Sequence, residues 1–173
     1  MEKKATPPLV PGIIVSLILI VLSIVIYFSG LYTQTWSQYL GFAILVAGII
    51  WAIINHAKEK VNQVTYGNLF GFGFKVAAII TCFMILYTVL AGFIFPDMKQ
   101  KIIDIAREKA TQRPGVTEEQ VDQGMQFFEK NYTLLLVIGI VFWYLLIGVV
   151  SSLIGAAIPK KNPPAPFEFE NKA

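Results

Sequence analysis

The 173-residue chain is 55% hydrophobic and only 14% charged, against roughly 25% charge in soluble domains. Apart from Lys75, its charges lie at the two ends and in the linkers between four long apolar runs, which excludes a conventional water-soluble core with polar and apolar positions interleaved at helical period. A net charge of +3 with no basic, aromatic-laced face argues against nucleic acid as a partner, and one cysteine with one histidine excludes an intrachain disulfide and a Cys/His zinc site.

The first apolar run predicts a span from about Gly12 to Tyr32, matching the roughly 20 residues needed to cross a hydrocarbon core. Lys3 and Lys4 precede it. The run is longer than the roughly 7–15 residues of a signal-peptide core and no A-x-A-like cleavage site follows, so it reads as a retained anchor. Pro11 suits the first helical turn, where its missing N–H costs nothing. The link Thr33-Gln34-Thr35-Trp36 is so short that the second span, about Ser37 to Ile54, must run antiparallel to the first. Tyr27, Tyr32, Trp36 and Tyr39 crowd this turn like an interfacial aromatic belt.

A polar linker over Asn55–Asn68 carries His56, Lys58, Glu59 and Lys60. The third span runs from about Leu69 to Phe95, where Pro96-Asp97 stops it. The segment 97–131 reads as an extramembrane amphipathic helical hairpin. Met98, Ile102, Ile105 and Ala106 share one face of its first helix, and Arg113-Pro114-Gly115 breaks the pattern. Thr117 then reads as an N-cap with Gln120 as its capping-box partner, followed by a stripe of Val121, Met125 and Phe128. This segment is too small to fold alone, so each stripe needs its neighbour, the membrane surface or a partner. The fourth span covers about Thr133 to Ile158, and the proline-containing tail over 162–173 is expected to be disordered.

The expected architecture is thus an all-α membrane protein. It is a four-transmembrane-helix bundle with spans near 12–32, 37–54, 69–95 and 133–158, forming a single integral membrane domain over 1–161, with the amphipathic hairpin between the third and fourth spans. Four spans put both termini on one side. The first turn has no basic residue and Lys160–Lys161 follow the fourth span directly, which favours cytoplasmic termini. The raw count discriminates poorly, with Lys3, Lys4, Lys58, Lys60, Lys160, Lys161 and Lys172 on the side of the termini against six basic residues in the long segment (Lys99, Lys101, Arg107, Lys109, Arg113 and Lys130).

Lipid is as apolar as leucine, so association of the spans rests on close backbone approach at small residues. Gly148, Ser152 and Ala156 recur at four-residue spacing in the fourth span. Gly67 and Gly71, with Gly73 and Ala77, open the third, and Gly41, Gly48 and Ala52 mark the second. These are the expected helix-packing positions.

Lys75 is the one charged residue inside an apolar run. Such a group is either functional or a lysine that snorkels to the headgroups, and the polar linker lies about two turns away. His56 sits beside Asn55 at an interface, with an unperturbed pKa near neutrality, and no second ligand or acid partner stands out nearby. Cys82 falls in mid-span, where a buried thiol is inert. Trp143 and Tyr144 lie deep in the fourth span, as bundle packing or as the lining of a small cavity. Gly67-x-x-x-Gly71-x-Gly73 lacks the Lys-Ser/Thr of a phosphate loop. No span holds a carboxylate, which argues against proton-coupled transport, and no carboxylate pair or Ser–His pair supports hydrolysis. No catalytic residue, cofactor or metal ion is expected. Lys75 and His56 are the candidates for function.

Three segments together resemble the uncharacterised bacterial membrane family named domain of unknown function 4199. They are Tyr66-Gly67-Asn68-Leu69-Phe70-Gly71-Phe72-Gly73-Phe74, Val116-Thr117-Glu118-Glu119-Gln120-Val121, and Ser151-Ser152-Leu153-Ile154-Gly155-Ala156-Ala157-Ile158 before Pro159-Lys160-Lys161. The resemblance covers roughly residues 9 to 161 and implies a four-helix inner-membrane protein, with no reaction, ligand or functional residue attached. Pro159 is a departure, because the family's ending is more continuously helical. The expected function is a non-enzymatic scaffold or an accessory or assembly subunit, in contact with the lipid bilayer and with a membrane-protein partner or further copies of itself. The alternatives are a small oligomeric transporter or channel, and a membrane enzyme acting on lipid-linked substrates with Lys75 and His56 at headgroup level.

Overall fold

The four apolar runs form four long helices. These are α1 (Leu9–Phe28), α2 (Thr35–Glu59), α3 (Tyr66–Ile94) and, after two shorter helices α4 (Pro96–Thr111) and α5 (Glu118–Lys130), α6 (Tyr132–Ala157). The computed structural model describes residues 5–31, 34–61, 63–112, 114–115 and 117–160. The tail over 162–173 lies outside the described residues, as do Lys3, Lys4, Tyr32 and Lys161. Among the described residues the chain is all-helical, with no strand. The four long helices have the length and composition to cross a membrane and suggest a multi-pass membrane protein.

The helix ends depart from the apolar edges. The Ser29 N–H bonds Val25 O at 2.9 Å and Gly30 turns the chain at φ +70°, so α1 stops before the expected Tyr32. The second helix runs past Ile54 and takes in Asn55, His56, Lys58 and Glu59, which sequence polarity had assigned to a linker. Ala57 is fully buried and the His56 ring stacks on Phe72 of α3, so packing carries the helix beyond its apolar core. Val61, two residues after α2, holds φ +53°, a genuine strain for a β-branched residue. Val61→Gly is expected to raise stability by about 1 kcal/mol by relieving that left-handed conformation. Thermal unfolding in detergent checks this, and an unchanged or lower melting temperature would count against strain at this turn. The third helix begins at Tyr66, capped by Thr65, whose Oγ1 accepts from the Asn68 N–H at 3.3 Å.

The interior rests on glycines. A Cβ added to Gly148 would stand 2.5 Å from Ala77 Cβ, one on Gly48 would stand 2.7 Å from Val15, and one on Gly12 would stand 2.6 Å from Ile79. Gly73 and Gly155 both lie against Ile53. The pairing of α3 with α6 is the most extensive helix contact, and Ser152 and Ala156 are fully buried. Around these sites Leu45, Ile49, Ile53, Leu69, Val76 and Ile80 are fully buried. Three interior hydroxyls bond within their own helices, as apolar surroundings favour, whereas the Ser152 Oγ is buried with no hydrogen-bond partner among the described residues. Ser16 donates to Gly12 O at 2.7 Å, Thr81 to Ala77 O at 2.8 Å and Ser151 to Ile147 O at 2.7 Å.

The two short helices sit at the end of the bundle away from the termini. Thr117 and Gln120 form the reciprocal capping box that opens α5. The Val121–Met125 stripe packs on Ile103 of α4 and Tyr132 of α6. Ile103 was not part of the expected α4 stripe. It is buried against α5, where Ile102 and Ala106 also pack, while Ile102 and Ile105 line a cavity bounded by all four long helices. The ion pair between Arg107 and Asp122 at 2.8 Å links the two helices, but half-exposed pairs of this kind contribute little.

Candidate functional site

Because α2 runs back towards the chain start and α3 leaves from the same end, His56 and Lys75 reach one cleft. It has a volume of about 450 Å³ and lies between the end of α2, the Gln63–Val64 linker and the first turns of α3. Lys60, Gln63 and Asn68 complete its polar wall, with no carboxylate in the lining among the described residues. Its floor is the His56 ring, stacked on Phe72 at 3.8 Å between centroids and 13° between planes. Among the described residues His56 Nδ1 is buried with no hydrogen-bond partner, an arrangement that costs on the order of 1–3 kcal/mol.

Gly67 and Gly71 are corrected here. They were expected to pack helices, yet a Cβ on either would meet nothing within 4 Å, and both line this cleft. The contact expected of them falls to Gly73, because the rotation of α3 turns that residue, not Gly67 or Gly71, towards α2 and α6. Gly67, Gly71 and Lys75 follow one another at four-residue spacing and so share a face of α3. That spacing was the signal available in the sequence. Lys60 and Gln63 gave none, since they join the site only through the turn that closes α2 onto α3.

A second cleft of about 350 Å³ adjoins the first on the other side of His56 and includes Thr6, Trp51, Asn55, Lys58 and Glu59. Here the Thr6 N–H donates to Glu59 Oε2 at 2.7 Å and the Thr6 hydroxyl to Oε1 at 2.6 Å. Those two bonds hold the Glu59 carboxylate on this side. On the far side of α3, the Tyr66 hydroxyl donates to Leu153 O at 3.1 Å and joins the start of α3 to the end of α6.

At the opposite end, a cavity of about 390 Å³ under α4 is lined by Leu19, Ser23, Met84, Ile105, Lys109 and Tyr144, among others. Tyr144 therefore borders a cavity, whereas Trp143 is exposed on the outer surface of α6. Cys82 is exposed on the outer surface of α3 instead of buried. The nearby lysines lie over aromatic faces, Lys99 at 5.5 Å from the Tyr132 centroid and Lys101 at 5.0 Å from that of Tyr27. Among the described residues no three His, Cys, Asp or Glu side chains come together as a metal site would require.

No curated protein and no solved structure matches the chain. The model of the family described as protein of unknown function (DUF4199) matches residues 11–161, from the first turn of α1 to just beyond α6, and the chain belongs to that family.

Proposed function

We propose that this is a four-span integral membrane protein of a bacterial inner membrane, with both termini cytoplasmic, acting without catalysis as a scaffold or as an accessory or assembly subunit. In this reading α4 and α5 form a hairpin outside the bilayer on the side opposite the termini. The observation that carries the reading is the division of labour between the two ends of the fold. Within the bundle, helices meet through glycine-mediated contacts, and Ser16, Thr81 and Ser151 bond to their own helices. By contrast α5 satisfies its apolar stripe on α4 and turns outward a surface of Glu118, Glu119, Gln123 and Gln126 around an exposed Phe127. A lone exposed aromatic in a polar surround suits a contact between proteins, where aromatic anchors carry much of the binding energy.

Affinity purification of the tagged chain from membranes in mild detergent, with the mass of the intact complex, tests this. A different protein is expected at fixed stoichiometry. Phe127→Glu should weaken its retention at least tenfold, about 1.4 kcal/mol, without changing the melting temperature, since the side chain is already 62% exposed. Recovery of the chain only as copies of itself would set the accessory role aside in favour of an oligomeric transporter or channel.

A further inference from the structure

The geometry points to the cleft between the end of α2 and the first turns of α3 as a binding site for a phosphate-bearing anion, held by the Lys60 and Lys75 ammonium groups over the open backbone of Gly67 and Gly71.

Charge is sorted across this end of the fold. Glu59 is adjacent in sequence to Lys60, yet its carboxylate accepts two hydrogen bonds from Thr6 in the neighbouring cleft. Among the described residues this cleft is lined by two cations and no carboxylate. Neither Lys60 nor Lys75 has a salt bridge among the described residues. Three of the four basic residues of α4 differ, since Arg107 is paired with Asp122 and Lys99 and Lys101 lie over aromatic rings, while Lys109 borders the mostly apolar cavity under α4. Two lysines with no ion pair among the described residues, lining one concavity, make a site for a compact anion, which lysine binds as a point charge.

The shape agrees with the charge. Any side chain at Gly67 or Gly71 would project into the cleft, where a Cβ meets nothing within 4 Å. The two glycines leave open the volume an anion would fill. The amide groups of Asn68 and Gln63 line the wall and can donate hydrogen bonds to phosphate oxygens. Lys75 is rooted about two and a half turns into α3 and lines the cleft, where a long stem can lie along apolar surface with its ammonium at the polar edge. Such a placement puts the bound anion at the boundary of the apolar helices. A phospholipid headgroup and a free phosphate share the chemistry the cleft recognises. The lipid source rests on the membrane reading above, whereas the cleft does not.

The test uses the full chain purified in neutral detergent. Binding is followed by native mass spectrometry and by the shift in melting temperature during titration with phosphatidylglycerol, phosphatidylcholine or inorganic phosphate. Phosphatidylglycerol is expected to bind saturably and at least tenfold more tightly than phosphatidylcholine. K60Q/K75Q should weaken it at least tenfold. Gly71→Leu, which fills the cleft without changing charge, should weaken it at least fivefold. Lys58→Gln removes the same charge two residues from Lys60 but outside this cleft, and should leave binding unchanged. If the double variant does not fold, Lys60→Gln alone, at an exposed position, retains the test with at least a threefold loss.

Equal binding of the two lipids, full retention by the lysine variants, or an equal loss in Lys58→Gln would overturn the site in favour of diffuse surface charge. Competition by inorganic phosphate at millimolar concentration would uphold the site and identify a soluble phosphate as its ligand. Absence of competition alongside saturable phosphatidylglycerol binding would uphold it as a lipid site. Extraction of native membranes with alkaline carbonate reports separately on the membrane reading. A chain released by carbonate would refute that reading while leaving the binding data on the cleft intact.

Discussion

Gly148→Ala is expected to lower the stability of the purified protein by about 1–3 kcal/mol, although it adds a single methyl group to a helix. The new Cβ would stand 2.5 Å from the Cβ of Ala77, far inside the roughly 3.5–4.0 Å at which carbon atoms attract. Neither methyl can rotate away, because each is fixed directly to its backbone. The helices α3 and α6 must therefore part along the most extensive contact in the fold. In a bilayer no hydrophobic drive would restore what close packing loses. The gain in helix propensity from Gly to Ala, at most about 1 kcal/mol, only partly offsets the separation. Ala77→Gly in the same chain removes the opposing methyl. The G148A/A77G chain should recover most of the loss, with a coupling of about 1–2 kcal/mol between the two positions. Thermal unfolding of the four chains in one detergent measures this. A Gly148→Ala chain that melts with the parent, or a double variant no better than the single one, would mean that α3 and α6 do not meet here.

Truncating Ile53 to alanine is expected to be more damaging, at about 2–5 kcal/mol. Ile53 is fully buried where α2, α3 and α6 converge, and its Cδ1 atom lies over both Gly73 and Gly155. Its removal leaves a void lined by three helices, none of which can close in without disturbing the other two. The same geometry predicts a change of sign. In the parent chain a Cβ on Gly155 would stand 2.7 Å from Ile53 Cδ1, so Gly155→Ala should destabilise by about 1–3 kcal/mol. Once Ile53 is alanine, the nearest remaining neighbour of that Cβ is Ile50 Cα at 3.4 Å, an ordinary contact. The added methyl then fills part of the void, and I53A/G155A should be about 1 kcal/mol more stable than I53A. Gly155→Ala acting in the same direction in both backgrounds would rule out this shared packing site.

The length of the four apolar runs decided the four long helices, since each is long enough to cross a hydrocarbon core and none contains a helix-breaking proline in its interior. Local chemistry also decided the stop before Pro96 and the Thr117–Gln120 capping box, which need only residues close in sequence. Boundaries set by packing were not legible. Residues 55–59 look like linker because they are polar, but Ala57 and His56 bury themselves against α3 and keep the helix going. Small-residue spacing marked which residues were able to make close contacts. The rotation of each helix chose among them, so that Gly73 meets Ile53 while Gly67 and Gly71 face an open cleft. The candidate site shows the same division. Lys75 stood out as a charge in an apolar run and His56 as the one imidazole, and both facts are properties of single positions. Their convergence with Lys60, and the capture of Glu59 by Thr6 in the next cleft, depend on how α2 returns beside the chain start and hands over to α3. Composition and period fix what each segment is, because those properties are local. Which side chains share a site is fixed by the register between segments distant in sequence, and only the packed tertiary structure sets that register.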